Sequence, residues 1–83
     1  MEIIGQGDGW VRFDWKEPTG GGKIAAYKVQ RSEDGSTFTD AATATESEAA
    51  LFNQPTAKRL IYQVVAINRA GIGTASNTVS LVL

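Results

Sequence analysis

The chain has 83 residues, enough for one domain near the lower size limit for an unaided hydrophobic core. It contains no cysteine and no histidine, which excludes disulfides, thiol nucleophiles, the commonest metal ligand and the commonest general base near neutral pH. Eight basic and nine acidic residues give a net charge of −1 without a long block of either sign, which argues against nucleic-acid binding.

Hydrophobic and polar residues alternate along most of the chain, and turn residues recur about every eight to twelve positions. This pattern predicts an all-β sandwich of seven strands. The predicted strands, in chain order, are Glu2–Gln6, Trp10–Trp15, Lys23–Ser32, Thr37–Ala41, Ser47–Phe52 and two more between Leu60 and Val82. Asp34-Gly35, between the third and fourth, predicts a two-residue hairpin turn, because both residues tolerate positive φ.

Two spaced patterns carry a family likeness. The first is Gly9-x-Val11-x-Phe13-x-Trp15-x-x-Pro18, and the second is Tyr62-x-Val64-x-Ala66-x-Asn68-x-x-Gly71-x-Gly73-x-x-Ser76. Together they resemble the fibronectin type III family over nearly the whole chain. The resemblance implies a seven-stranded immunoglobulin-like β-sandwich with sheets A-B-E and C′-C-F-G in the family's strand letters. It also implies that residues 1–83 are a single domain taken from a larger multidomain protein.

The alternation and the resemblance assign five large side chains to the core, with Trp15 at its centre. They are Trp15, Tyr27, Leu51, Tyr62 and Val64. At position 60, where the family has a tyrosine that anchors the E–F connection, this chain has Leu60. Leucine cannot make that hydrogen bond, which contributes about 0.5–1.5 kcal/mol. Tyr62 lies two positions later, so the connection is predicted to lack its anchor.

The first candidate interaction surface is an apolar stripe on the outward side of strand F, formed by Ile61, Val65 and Ile67. Three β-branched residues are more than a solvated strand face requires. Long neighbouring side chains such as Lys28 and Gln30 could cover them, or β-propensity alone could explain them. The alternative is a packing surface for a neighbouring domain or another copy of the chain.

The second candidate is an aromatic patch of Trp10 and Phe52, which fall on the outward side of two strands that pair in this fold. Arg12 and Asp14 follow Trp10 on the same face, so a ring, a hydrogen-bond donor and an acceptor lie together. The patch could bind a carbohydrate or another ligand. It could equally cover a corner of the sheet, since aromatic cross-strand pairs stabilise sheets.

Enzyme chemistry is not expected, because the carboxylates fall on predicted loops or outward positions and a small sandwich offers little concave volume. Cofactors and metals are not expected either. Asp40, Glu46 and Glu48 lack the dense Asp/Asn/Gly loop of a calcium site. No apolar run approaches the ~18 residues that span a bilayer, so membrane insertion is not expected.

The resemblance implies a non-catalytic spacer or protein-interaction module within a larger protein, often one of several repeats. Its expected partners are neighbouring domains or another protein, and the isolated domain is expected to be monomeric. The resemblance places the parent protein outside the cell or at the cell surface. The alternative function is a carbohydrate- or ligand-binding accessory module that uses Trp10 and Phe52.

Overall fold

A computed structural model describes residues 1–17, 24–68 and 71–83. Within these ranges the chain forms eight β-strands and no helix, hence no helix that is long and apolar enough to cross a bilayer. The strands are β1 (Glu2–Gly7), β2 (Trp10–Asp14), β3 (Ala26–Ser32), β4 (Thr39–Ala44), β5 (Glu48–Leu51), β6 (Arg59–Asn68), β7 (Gly71–Ala75) and β8 (Val79–Val82). Pro18 and the predicted strand start at Lys23 lie outside the described residues.

The strands form two antiparallel sheets that pack face to face. One sheet has the order β1-β2-β5, and the other has the order β4-β3-β6-β7 with β8 also paired to β6. In the family's strand letters these are sheets A-B-E and C′-C-F-G. The predicted immunoglobulin-like sandwich of fibronectin type III topology is therefore confirmed. One detail differs, because the predicted last strand is divided into β7 and β8 by residues 76–78.

Ser76 and Asn77 cause this division by using their side chains as hydrogen-bonding partners. The Val64 amide donates to Ser76 Oγ at 3.0 Å, and the Ser76 amide donates to the Val64 carbonyl at 2.8 Å. The Asn77 amide binds the main chain of Met1 at two points: Oδ1 accepts from the ammonium at 2.6 Å, and Nδ2 donates to the carbonyl at 3.1 Å. The interruption of the strand thereby joins the start of β1 to the start of β8.

The core is centred on the rings of Phe13 and Tyr62, whose centroids lie 4.9 Å apart and join the two sheets. All five side chains that the sequence assigned to the core lie in the buried cluster. Trp15, however, lies away from the centre. It is 8% exposed, contacts the Tyr27 ring edge to face at 5.3 Å, and its buried Nε1 has no hydrogen-bond partner among the described residues.

The prediction of a two-residue turn at Asp34-Gly35 is wrong, because the connection between β3 and β4 is longer. The ladder closes at Arg31 and Thr39, and side chains organise the residues between them. Ser32 Oγ accepts from the amides of Asp34 and Gly35, while Asp34 Oδ1 accepts from the amides of Ser36 and Thr37. A two-residue hairpin offers no place for this capping, so Asp34 and Gly35 form the first part of a wider loop.

Trp10 packs on the neighbouring strand β1, where two glycines leave room for it. Trp10 pairs directly with Gly7 across the ladder. A β-carbon on Gly7 would overlap the indole nitrogen and lie 2.8 Å from Cε2, whereas one on Gly5 would lie 3.4 Å from the far edge of the ring. The indole is therefore flat on the β1 backbone, in place of the side chains that β1 lacks.

The E–F connection has a hydroxyl anchor after all, so the predicted loss is wrong. Leu60 is fully buried, and the hydroxyl of Tyr62 donates to Gln54 Oε1 at 2.7 Å. Burial raises the pKa of Tyr62, which keeps it a neutral donor. Gln54 Oε1 also accepts from Arg31 Nη1 at 2.8 Å, and the backbone amide of Gln54 donates to the Gly9 carbonyl. Because the Gln54 side chain extends towards the core, a tyrosine two positions after residue 60 can anchor the connection.

We expect Tyr62→Phe to destabilise the domain by about 0.5–1.5 kcal/mol, because it removes one hydrogen bond and keeps the ring that packs on Phe13. Urea denaturation measures the loss. Tyr27→Phe is the matched control, since the hydroxyl of Tyr27 has no hydrogen bond to the described residues. Equal stability of the Tyr62→Phe variant and the unsubstituted domain would show that the anchor does not contribute to stability.

We expect Asp34 to make the domain sensitive to acid. Amide donation from Thr37 and Ser36, with the Ser32 hydroxyl, holds the pKa of Asp34 at about 2, below its ordinary value. A lowered folded pKa means stability that is present above about pH 4 and is lost as the pH falls towards 2. Asp34→Asn keeps the acceptor oxygen without the charge. The urea midpoint of this variant should therefore fall less between pH 4 and pH 2 than that of the unsubstituted domain. An equal fall of the two midpoints with pH would contradict the prediction.

We expect Gly7→Ala to cost about 1–3 kcal/mol, because the new methyl group overlaps the Trp10 indole. Gly5→Ala, whose methyl group would meet the ring at ordinary contact distance, should cost less. Thermal unfolding of both variants tests the difference. In a Trp10→Ala background the Gly7→Ala penalty should disappear, and a penalty that persists there would mean that the ring is not its cause.

Candidate interaction surfaces

The predicted apolar stripe on β6 is largely covered in the folded domain. Val65 is only 4% exposed, although it faces away from the core, and Ile61 and Ile67 are half-buried. Lys28 on β3 and Ala75 on β7 lie directly across from Val65. Gly35 closes over Ile61, since a β-carbon on Gly35 would lie 3.2 Å from Ile61 Cδ1. The prediction that Val65 is an exposed contact residue is therefore corrected.

Polar side chains form a continuous chain of hydrogen bonds across this outer face. Lys28 Nζ lies 3.0 Å from Asp40 Oδ2, and Gln30 Nε2 donates to Asp40 Oδ1 at 3.1 Å. Gln63 Nε2 then donates to Gln30 Oε1 at 2.8 Å. Donation from Lys28 and Gln30 lowers the pKa of Asp40. The chain links β4, β3 and β6, and it favours the interpretation in which Lys28 and Gln30 cover the stripe.

The two residues of the aromatic patch lie in different surroundings. Trp10 is half-buried on the glycines of β1, whereas Phe52 is 65% exposed just beyond the end of β5. The ring contacts among the described residues are Phe13 with Tyr62 and Trp15 with Tyr27, so Trp10 and Phe52 do not stack on each other. The structure gives a single flat ring and a separate exposed ring at one end of the sheet.

The strand registers reveal a row of carboxylates that spacing alone did not. Glu2 pairs with Asp14 across β1 and β2, and Asp14 pairs with Glu48 across β2 and β5. Residues directly opposite in an antiparallel sheet have neighbouring side chains on the same face. The signal in the sequence was the outward position of all three acids. The missing information was the register that aligns them.

A cleft of about 450 Å³ opens near Trp15, between the edges of the two sheets. Its apolar wall comes from Trp15, Tyr27, Val64 and Ala66, and its polar rim from Met1, Glu2, Asp14, Lys16, Ser76 and Asn77. Burial raises the pKa of Tyr27, and the nearby Glu17 carboxylate raises it further. A neutral phenol on an apolar wall suits packing contacts better than proton transfer near neutral pH.

The acids considered for calcium do not form one site. Asp40 lies on β4 in one sheet, where Lys28 and Gln30 hold it, whereas Glu48 lies on β5 in the other. Across the described ranges, no group of three or more Asp or Glu side chains is arranged to hold a metal ion.

Solved structures with the same fold come from several protein classes. Domains A168–A170 of titin have a TM-score of 0.85 at 21% identity, over 96% of this chain and 29% of that one. A fibronectin type III domain of human fibronectin type III domain containing protein 3 has a TM-score of 0.81 at 19% identity, over 98% and 78%. A β-1,2-glucanase from Parabacteroides distasonis has a TM-score of 0.74 at 25% identity, over 89% and 10%.

The chain therefore spans less than a third of the titin structure and a tenth of the glucanase. No curated protein sequence matches it. Fibronectin type III domains are generally non-catalytic, and they occur in multidomain proteins such as titin as structural or interaction modules. The family model for the fibronectin type III domain matches residues 1–82, and with the sheet order described above this establishes that the chain belongs to the fibronectin type III family.

Proposed function

We propose that residues 1–83 are one non-catalytic module of a larger protein, in which the module spaces neighbouring domains or contacts them. The direction of the terminal strands is the observation that supports this most. Asn77 Nδ2 donates to the Met1 carbonyl at 3.1 Å just before β8, and Gln6 Nε2 donates to the Val82 carbonyl at 3.2 Å near the end of β8. Strands β1 and β8 therefore run the same way, and the first and last residues lie at opposite ends of the sandwich.

The shape of the domain fits serial linkage. Its principal extents are 39 × 24 × 17 Å, and the ten residues of β6 alone span about 33 Å. The long axis thus follows the strands. A chain that enters at one end and leaves at the other displaces its neighbours by the long dimension of the module.

Several observations support protein rather than nucleic-acid contacts and a non-catalytic role. Two of the lysines are held in ion pairs, Lys28 with Asp40 and Lys58 with Glu33, so they do not form a free basic patch. The glucanase match covers a tenth of that enzyme, which supports transfer of the fold and not of the activity. The family resemblance alone supports a parent protein that is extracellular or at the cell surface.

The carbohydrate-binding alternative receives less support from the geometry. A sugar platform needs an accessible ring with fixed polar groups around a concave site. One side of the Trp10 ring packs on Gly5 and Gly7, and the Phe52 ring does not stack on it. We therefore place Trp10 in the packing of the sheet, and we keep the module as the proposed function.

Small-angle scattering on a tandem of two copies tests the spacer role. We expect the single copy to be monomeric in analytical ultracentrifugation, because Val65 is covered and offers no apolar contact. The tandem should be longer than the single copy by about the 39 Å long dimension of the domain. A tandem whose maximum dimension stays close to that of one copy would mean that the modules fold back side by side.

The matched control is the same tandem with Phe13→Asp in one copy. Phe13 is fully buried, and an unpaired carboxylate at that position should unfold the copy. The control chain should show the broad distance distribution of a flexible segment. An identical scattering profile for both tandems would refute a defined spacer.

A further inference from the structure

The outer face of the β1-β2-β5 sheet is divided along its strands into regions of different chemistry. Gly7 and Trp10 form one row across the strands, and Phe52 follows Leu51, the partner of Val11, at the same end of the sheet. The next row is Gly5, Arg12 and Ala50, and the last is Glu2, Asp14 and Glu48. An apolar end is thus separated from an acidic end by a row in which two of the three residues are small. We name this surface the A-B-E outer face.

The A-B-E outer face carries more exposed hydrophobic surface than the β6 stripe. Phe52 is 65% exposed, and Ile4, at the irregularity in the β1 register between Ile3 and Gly5, is 46% exposed. Across the described residues, the other exposed large hydrophobic side chain is Val82, on the opposite sheet. Ile4 therefore lies on β1 between the acidic row and the row of Gly5, whereas Phe52 directly follows β5 at the other end of the face.

The carboxylates of the acidic end are not held in ion pairs, although Lys16 lines the neighbouring cleft with Glu2 and Asp14. Like charges directly opposite on a sheet destabilise it. Yet Glu2, Asp14 and Glu48 make no ion pair with the described residues, in which the ion pairs are Lys28 with Asp40 and Lys58 with Glu33. The Met1 ammonium binds Asn77 on the other sheet. The guanidinium of Arg12 is the one cation on the three rows, against three carboxylates.

A depression of about 170 Å³ lies beside this end and offers a seat for a side chain. It is lined by Arg12, Phe13, Glu46, Glu48, Ala49 and Ala50. Alanines border the depression, and its lining has two acidic residues against one basic residue, Arg12. A lysine or arginine has the matching structure, an aliphatic stem that packs on small apolar residues and a cation at its end.

We propose that the A-B-E outer face docks a polypeptide surface that carries lysine or arginine next to aliphatic or aromatic side chains. Such a partner places its cations at Glu2, Asp14 and Glu48 and its apolar groups at Phe52 and Ile4. The contact reduces the repulsion within the carboxylate row, and it also buries exposed apolar surface. This inference rests on the proposed function as a module, and it names the face and the chemistry of the neighbour that the module contacts.

Nitrogen-15 NMR titration with a blocked peptide of alternating lysine and leucine tests the proposal. We expect amide shifts at Glu2, Asp14 and Glu48 and at the Trp10 indole, weakened by added salt because the contact is charged and exposed. The same peptide with glutamate in place of lysine should cause no such shifts. Shifts that map to the β6 face, equal shifts with the glutamate peptide, or no shifts at millimolar peptide would each overturn the proposal.

Matched variants separate the two halves of the face. Asp14→Asn with Glu48→Gln should weaken binding by about tenfold or more, whereas Glu33→Gln at the β3–β4 loop should leave it unchanged. Phe52→Ser should weaken it, and Val82→Ser on the opposite sheet should not. An equal effect of test and control variants would refute the assignment of the face. If the peptide fails to bind but the tandem is longer by one module, this surface is wrong and the spacer role stands.

Discussion

The contact between Phe13 and Tyr62 is the interaction on which the rest of the sandwich depends. Each ring comes from an inner strand of its sheet, and the tilted pair fills the space between the sheets with its centroids 4.9 Å apart. Both side chains are fully buried, so a domain this small places much of its apolar area in one pair. Leu60, Val11 and Val29 fill the surrounding volume. A chain without disulfides can then hold two sheets together by packing alone.

Tyr62 also connects this core to the loop end of the molecule. Its hydroxyl donates to Gln54, which also binds Arg31 on β3 and the Gly9 carbonyl in the β1–β2 turn, so one glutamine joins two connections and a strand to a buried ring. The same connection contains Ala57 at a φ of 60°, a conformation that costs a non-glycine residue about 1–2 kcal/mol. The Ala57 amide donates to the Leu83 carbonyl at 2.9 Å. Neighbouring hydrogen bonds therefore hold a strained residue in place.

The sequence was sufficient for the sheets because alternation in β2, β3 and β6 fixes which side chains face inward. It was insufficient where side chains replace main-chain pairing. The capping by Ser32 and Asp34 lengthened a predicted two-residue turn, and Ser76 with Asn77 divided the last strand. It also misjudged Val65, because coverage of an outward residue depends on neighbours in other strands. The carboxylate row depends on register, which a count of residues along one strand does not contain.

The side-chain bonds between β1 and β8 bear on association as well as on stability. Strand β1 pairs with β2 only, has glycine at two positions and joins the other sheet through Asn77 and Gln6. These contacts link residues 76 positions apart, so forming them has a larger loop-closure entropy cost than pairing neighbouring strands of a hairpin. If β1 detached, β2 would become an exposed edge of alternating hydrophobic residues, a template for pairing with another molecule. The amides of Asn77 and Gln6 thus protect the domain against aggregation through an open edge.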